Sequence, residues 1–255
     1  MDGAQLKDFL DQKVLEFSNP DFFIPTDPIQ IPWSFDSDAD REIAGFIAAL
    51  IAWGQRPTII KNANKWMDLM DREPKNFLLN ASEKDFSLFN SLVHRTLNGE
   101  DAVFITRKLS QLIREHGSIN DFLKKQDAGI KAKIQALHNF FNTDDCLPRT
   151  AKHIANPAKG SAAKRLIMYF RWMVRKQNSP GADFGIWDCL SPSELMLPLD
   201  IHTGNISTKL GLLKRKQSDW KAVEEVSSAL RKMDPHDPIK YDYALFGLGA
   251  FEGFW

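Results

Sequence analysis

Cysteine is scarce in this chain: Cys146 and Cys189 are the only two among 255 residues. Two thiolates cannot build a four-cysteine zinc or iron–sulfur centre within the chain, and so small a number suits a reducing compartment. Long apolar runs are missing too. The longest, residues 43–53, is interrupted by Gly45 and falls well short of the ~20 residues that a membrane-spanning helix needs. The opening MDGAQLKDFLDQ is acidic and has no positive stretch leading into an apolar core, so no secretory signal is expected. Neither charge is in excess, because Lys plus Arg and Asp plus Glu both number 33. Overall charge therefore gives no hint of a polyanionic partner. No pair of alternating runs joined by a two-residue turn, no internal repeat and no low-complexity tract occurs. These absences point to a cytoplasmic protein with no membrane partner, no metal and no cofactor.

What is present is ordinary in amount and uneven in placement. Hydrophobic residues at 43% and charged residues at 26% are usual for a globular protein with a substantial core. Over residues 1–45 acids outnumber bases ten to three, whereas residues 149–176 hold eight Lys or Arg and no acid. A basic stretch of that kind in a neutral chain is a local electrostatic feature, suited to phosphates or simply to a solvated helix face.

Nearly every long periodic segment reads as helix. The acids of residues 38–42 can cap the apolar stretch 43–53, which Gly54 ends, and Pro57 can open the next helix at 58–71. Further helical patterns cover 83–96, 101–116, 119–125, 130–142, 149–155 and 162–176. Ser191-Pro-Ser-Glu194 has capping-box spacing. Asp237-Pro238 gives a cap-then-proline start to 239–248, closed by Gly249. Residues 177–188 are the most loop-like. The expectation is an all-α protein of about twelve helices, as one large domain or two joined lobes.

Residues 156–165, Asn-Pro-Ala-Lys-Gly-Ser-Ala-Ala-Lys-Arg, separate two of these helical patterns. A short Gly/Pro hairpin leaves free N–H groups at the second helix's start, and with that helix's dipole they make an anion site. Further on comes Leu197-Pro-Leu-Asp200-Ile-His202-Thr-Gly-Asn205, leading to Leu210-Gly-Leu212. Here the sequence resembles the helix-hairpin-helix DNA glycosylases, whose second signature is an apolar residue, Asp-Thr-His, and a helix ending near Leu-Gly-Leu. Gly160-x-x-x-Lys164 matches the family's spacing from hairpin glycine to nucleophilic lysine. Ala52-Trp-Gly-Gln55 is similar to the family's early helix end, and residues 234–249 to its closing helix. The runs 159–166, 171–175 and 183–187 are similar to an uncharacterised bacterial branch. The likeness spans about residues 43–249. The usual Leu-Pro-Gly-x-Gly hairpin is two residues longer here and has Ala162 in place of a second glycine. Asp200-Ile-His202 replaces Asp-Thr-His, and Asn205 stands where Arg is frequent. The cluster cysteines of the endonuclease III branch are missing, which moves the comparison toward the 8-oxoguanine glycosylases.

The resemblance implies two helical lobes: residues 43–145 as one, 1–42 with 213–255 as the other, and 146–212 carrying the hairpin and the essential Asp. It implies base excision from double-stranded DNA by a monomer, with possible abasic-site lyase activity on an oxidised purine. Such an enzyme extrudes the target nucleotide into a pocket. A carboxylate stabilises the positive charge that builds on the sugar, and a neutral lysine attacks C1′ to form a Schiff base. By this resemblance Lys164 is the nucleophile and Asp200 the carboxylate. Gln55, Trp53, Trp172, Trp187 and His202 are the candidates for the base pocket. Lys159, Gly160, Ser161, Ala162, Arg165, Arg171 and Arg175 are the candidates for phosphate contact. Each has a plainer reading. Lys164 can be one more solvated cation, Asp200 a helix cap, and His202 and Gln55 local hydrogen-bonders. Trp172 can belong to the core, and Arg171 and Arg175 can simply be exposed. A nucleic-acid-binding protein that keeps the fold without the chemistry is the alternative, and a helical interaction protein a third.

Overall fold

A computed structural model describes residues 2–176 and 181–253. The first four positions of the loop expected over 177–188 lie outside the described residues. Among the described residues there is no strand; the one β-type pairing is an isolated bridge between His94 and Leu97. The protein is all-α. Among the described residues nine helices run nine residues or more: α1 Gly3–Phe17, α2 Asp38–Leu50, α3 Arg56–Asp68, α4 Gly99–His116, α5 Ile130–Phe141, α6 Lys164–Val174, α7 Ile201–Lys209, α8 Trp220–Met233 and α9 Tyr241–Ala250. No helix is long and apolar enough to cross a membrane, among the described residues.

The chain divides into two units. One comprises Met1–Phe23, Gly129–Lys131 and Asn156–Trp255; the other comprises Ile24–Ala128 and Ala132–Ala155. The divisions fall at 23/24, 128/129, 131/132 and 155/156, whereas the resemblance implied 42/43, 145/146 and 212/213.

In the first unit α9 is the central element. Tyr241 to Leu245 and Gly247 to Gly249 are all buried, as expected of a helix with no polar face. Helix α1 lies against it, started by the reciprocal cap between Asp2 and Gln5 and burying Leu6, Leu10, Val14 and Phe17 at helical spacing. Helix α7 packs on α9 as well. Helix α8, capped by Asp219, buries Trp220, Val223, Val226 and Leu230.

In the second unit α2 is the buried helix, with Glu42 to Leu50 all out of solvent. Ser37, rather than the acids after it, is its cap, while Asp38 and Asp40 occupy the first turn. The helical pattern at 83–96 breaks up into Glu83–Phe86 and a 3-10 stretch, Ser87–Ser91. Ser87 and Ser91 donate to the carbonyls of Lys84 and Leu88, a local alternative to continuing the helix. The pattern at 149–155 likewise shrinks to Pro148–Ala151, and the carbonyl of Ile154 is taken by His138 Nδ1 at 2.9 Å.

Candidate functional site

The hairpin is built from its own polar atoms. Asn156 accepts from the Lys159 N–H through its side chain at 3.1 Å, closing a 3-10 turn at Pro157–Lys159. Gly160 then reverses the chain at φ 86°, in the left-handed region that suits a residue without Cβ. Its carbonyl accepts from the Trp220 N–H at 3.1 Å, which ties the turn to the start of α8. Ala163, buried and also left-handed at φ 48°, is the N-cap residue of α6. The helix therefore begins at Lys164, not at Ala162, and an alanine offers its first-turn amides no side-chain cap.

Lys164 thus stands at the mouth of one helix, and Asp200 stands at the mouth of another. Asp200 is the N-cap of α7, its Oδ1 accepting from the Thr203 N–H at 2.8 Å while its own N–H donates to Thr203 Oγ1. That reciprocal cap fixes the carboxylate and turns Oδ2 toward the lysine. Lys164 Nζ donates to Asp200 Oδ2 at 3.2 Å across 36 residues of sequence. The side chains are 41% and 14% exposed, so the pair is held from below and open from above. Both belong to the first unit.

A second set of charges lies deeper in the unit, buried except for Asp237, whose side chain is 21% exposed. Arg171 Nε donates to Asp183 Oδ1 at 3.2 Å, and its Nη1 pairs with Asp242 Oδ2. Arg175 reaches Asp183 Oδ2 at 3.0 Å and both oxygens of Asp237 at 2.9–3.1 Å. Tyr243 donates to Asp183 Oδ2 at 3.3 Å. Burial pushes the Asp242 carboxyl up to about 6; the charges of Asp200 and Asp183 add to this and Arg171 opposes it. The sequence offered one sign of Asp242: a carboxylate between two tyrosines in an otherwise apolar helix.

Two expectations are corrected by this arrangement. Arg171 and Arg175 are 3% and 0% exposed and committed to carboxylates, so they do not face a phosphate backbone. Trp172 and Trp187 are buried as well. Trp187 meets Tyr169 and Phe170 edge-on at 4.9 and 5.2 Å. Both indoles are core, not walls of an open base pocket. Helix α6 is buried along nearly its whole length, which turns Arg171, Trp172 and, just past its end, Arg175 inward, while Trp187 packs against it from the following segment.

The remaining candidates are placed as follows. Lys159, Gly160 and Ser161 are exposed, and Ala162 and Arg165 half-buried. His202 follows Asp200 on α7, with its ring 5.8 Å from that of Phe246. Trp53 and Gln55 belong to the second unit. Trp53 is half-buried, stacked on His153 at 5.6 Å and edge-on to His94 at 4.8 Å. Gln55 is the exposed N-cap residue of α3 and makes no side-chain cap. Among the described residues no group of three His, Cys, Asp or Glu side chains is arranged to hold a metal.

A family model described as "Protein of unknown function (DUF2400)" matches residues 27–251. The chain belongs to the DUF2400 family. The match spans α2 to the end of α9 and takes in both Lys164 and Asp200, so the candidate site lies within what defines DUF2400. No curated protein and no solved structure matches the chain.

Proposed function

We propose that this DUF2400 protein is a DNA base-excision glycosylase of the helix-hairpin-helix kind, with abasic-site lyase activity. In this reading it works as a cytoplasmic monomer on double-stranded DNA, and an oxidised purine is the lesion class. The observation that carries the reading is the Lys164–Asp200 pair: an amine and a carboxylate brought to 3.2 Å at the mouths of two helices, beside an exposed hairpin.

The geometry suits a balanced sequence of steps. Asp200 takes a proton from the Lys164 ammonium, and the freed amine attacks C1′ of the extruded nucleotide. The bond from C1′ to the base breaks as the new C–N bond forms, and the base leaves with the bonding pair. Asp200 returns its proton to the departing base. The amino sugar then opens to a Schiff base, from which strand cleavage proceeds by elimination. Returning that proton restores the carboxylate, which Thr203 holds in place opposite the positive charge left on the amino sugar.

The test is borohydride trapping of the full chain on duplexes carrying 8-oxoguanine or an abasic site. Wild type is expected to form a covalent adduct, Lys164→Ala none, and Asp200→Asn at least about 100-fold less excision. An adduct undiminished in Lys164→Ala removes the nucleophile assignment. One observation favours the alternative of a nucleic-acid-binding protein without excision: Asp200 is already engaged by both Thr203 and Lys164. Duplex binding with no excision across a lesion panel is the outcome that selects it.

A further inference from the structure

The acids and bases of this neutral chain are not mixed evenly around the hairpin. Residues 209–221, which link α7 to α8, carry Lys209, Lys214, Arg215, Lys216 and Lys221 against a single acid, Asp219. The Trp220 N–H to Gly160 carbonyl bond, 3.1 Å long, anchors the end of this segment on the hairpin that carries Lys159. Midway along it the Lys214 N–H donates to Glu225.

The cations divide into two kinds. Arg215 is neutralised locally: its Nε and Nη2 grip both oxygens of Asp219, and that hydrogen bonding holds the Asp219 carboxyl down at about 2. Lys159, Lys214, Lys216 and Lys221 are exposed, and among the described residues no carboxylate pairs with any of them. Three of the segment's four large apolar residues, Leu212, Leu213 and Trp220, are buried, and Leu210 is half-buried. A surface that offers ammonium groups and withholds apolar side chains suits a hydrated polyanion. It lacks the apolar face with which a peptide segment enters a lipid surface.

We infer that residues 209–221 and the hairpin form one continuous phosphate-contacting surface for double-stranded DNA, with Lys159, Lys214, Lys216 and Lys221 as its contacts. This rests on the reading of DNA as the substrate and enlarges it, since the additional contacts lie downstream of the helix that Asp200 caps. Each lysine acts as a mobile point charge that follows the backbone of the duplex and reads no base.

The test is the salt dependence of duplex binding, measured by fluorescence anisotropy on the full chain. Each lost phosphate contact lowers the slope of log affinity against log salt by about 0.9. The triple variant K214A/K216A/K221A is therefore expected to lower the slope by roughly 2–3. K214R/K216R/K221R is expected to keep it, and K216A alone, which leaves the helix untouched, to lower it by about 1. An unchanged slope in K216A and the triple variant, with wild type binding duplex and trapping abasic DNA normally, overturns this inference alone. Wild type failing to bind duplex at low salt overturns the glycosylase reading together with it. Wild type binding phosphatidylserine vesicles in preference to duplex overturns it in favour of an anionic membrane surface.

Discussion

Asp200 does two jobs with one carboxylate. Oδ1 caps α7 and Oδ2 meets Lys164, so the residue that orients the helix also orients the amine. Behind it, Arg171 and Arg175 pair with the buried Asp183 and Asp242 and with the partly exposed Asp237. Burial raises the Asp242 carboxyl to about 6, with the charges of Asp200 and Asp183 adding to this and Arg171 opposing it. A carboxyl raised from its ordinary ~3.9 favours the fold while protonated in both states, and that contribution fades as pH climbs through about 6. Asp242→Asn cannot ionise. Relative to wild type it is expected to gain up to about 3 kcal/mol between pH 4 and pH 7, whatever its offset at pH 4. Urea unfolding of both proteins across that range checks it; parallel pH profiles would show that the Asp242 carboxyl is not raised in the fold.

At the scale of elements, the packing of α9 decides where the site sits. Gly247 lets α1 come close: a Cβ there would lie 2.2 Å from the Phe17 ring, nearer than two carbons can approach. Gly247→Ala must push α1 away from α9 or force Phe17 off its rotamer, an overpacking expected to cost about 1–3 kcal/mol. The thermal midpoint and the near-UV spectrum of the variant test this, and a stability equal to wild type would mean that α1 moves freely. Caps were readable in advance at several elements. Asp200 and the Ser191–Glu194 box do cap, although the latter starts only a 3-10 turn, Pro192–Glu194. Helices α1 and α8 were not anticipated. The acids and bases scattered along them, such as Lys7, Asp8 and Asp11 in α1 and Glu224, Glu225 and Arg231 in α8, blur the apolar stripe that the packed structure makes plain.

For the molecule as a whole, the two ends of the sequence meet in one unit. Residues 1–23 join residues 156–255, so the shell around the Lys164–Asp200 unit is closed by a segment far away in the chain. Removing residues 1–23 strips Leu6, Leu10, Val14 and Phe17 from the face of α9. At roughly 1.5–3 kcal/mol each, that is on the order of 6–12 kcal/mol as an upper estimate, comparable with the whole stability of a domain. The truncated chain is expected to lose its cooperative thermal transition or to be recovered only as aggregate. A truncated protein that melts within a few degrees of wild type would assign α1 a minor role.

A resemblance singled out Lys164 and Asp200, while the sequence by itself determined the all-α class and the absence of a long apolar span. These follow from periodicity, capping and local turn chemistry, which act over a few residues. Only the tertiary structure decided which cations of residues 149–176 are available. Arg149 pairs with Asp101 and Glu100, Arg171 and Arg175 turn inward to carboxylates up to 71 residues away, and Lys159 stays out in solvent. A charge's position in the sequence states its sign; its partner and its solvent depend on what the fold places opposite it. The same holds for Trp172 and Trp187, whose rings look alike in sequence whether they line a pocket or fill a core. Burial is settled by the neighbouring helices, and no local pattern records it.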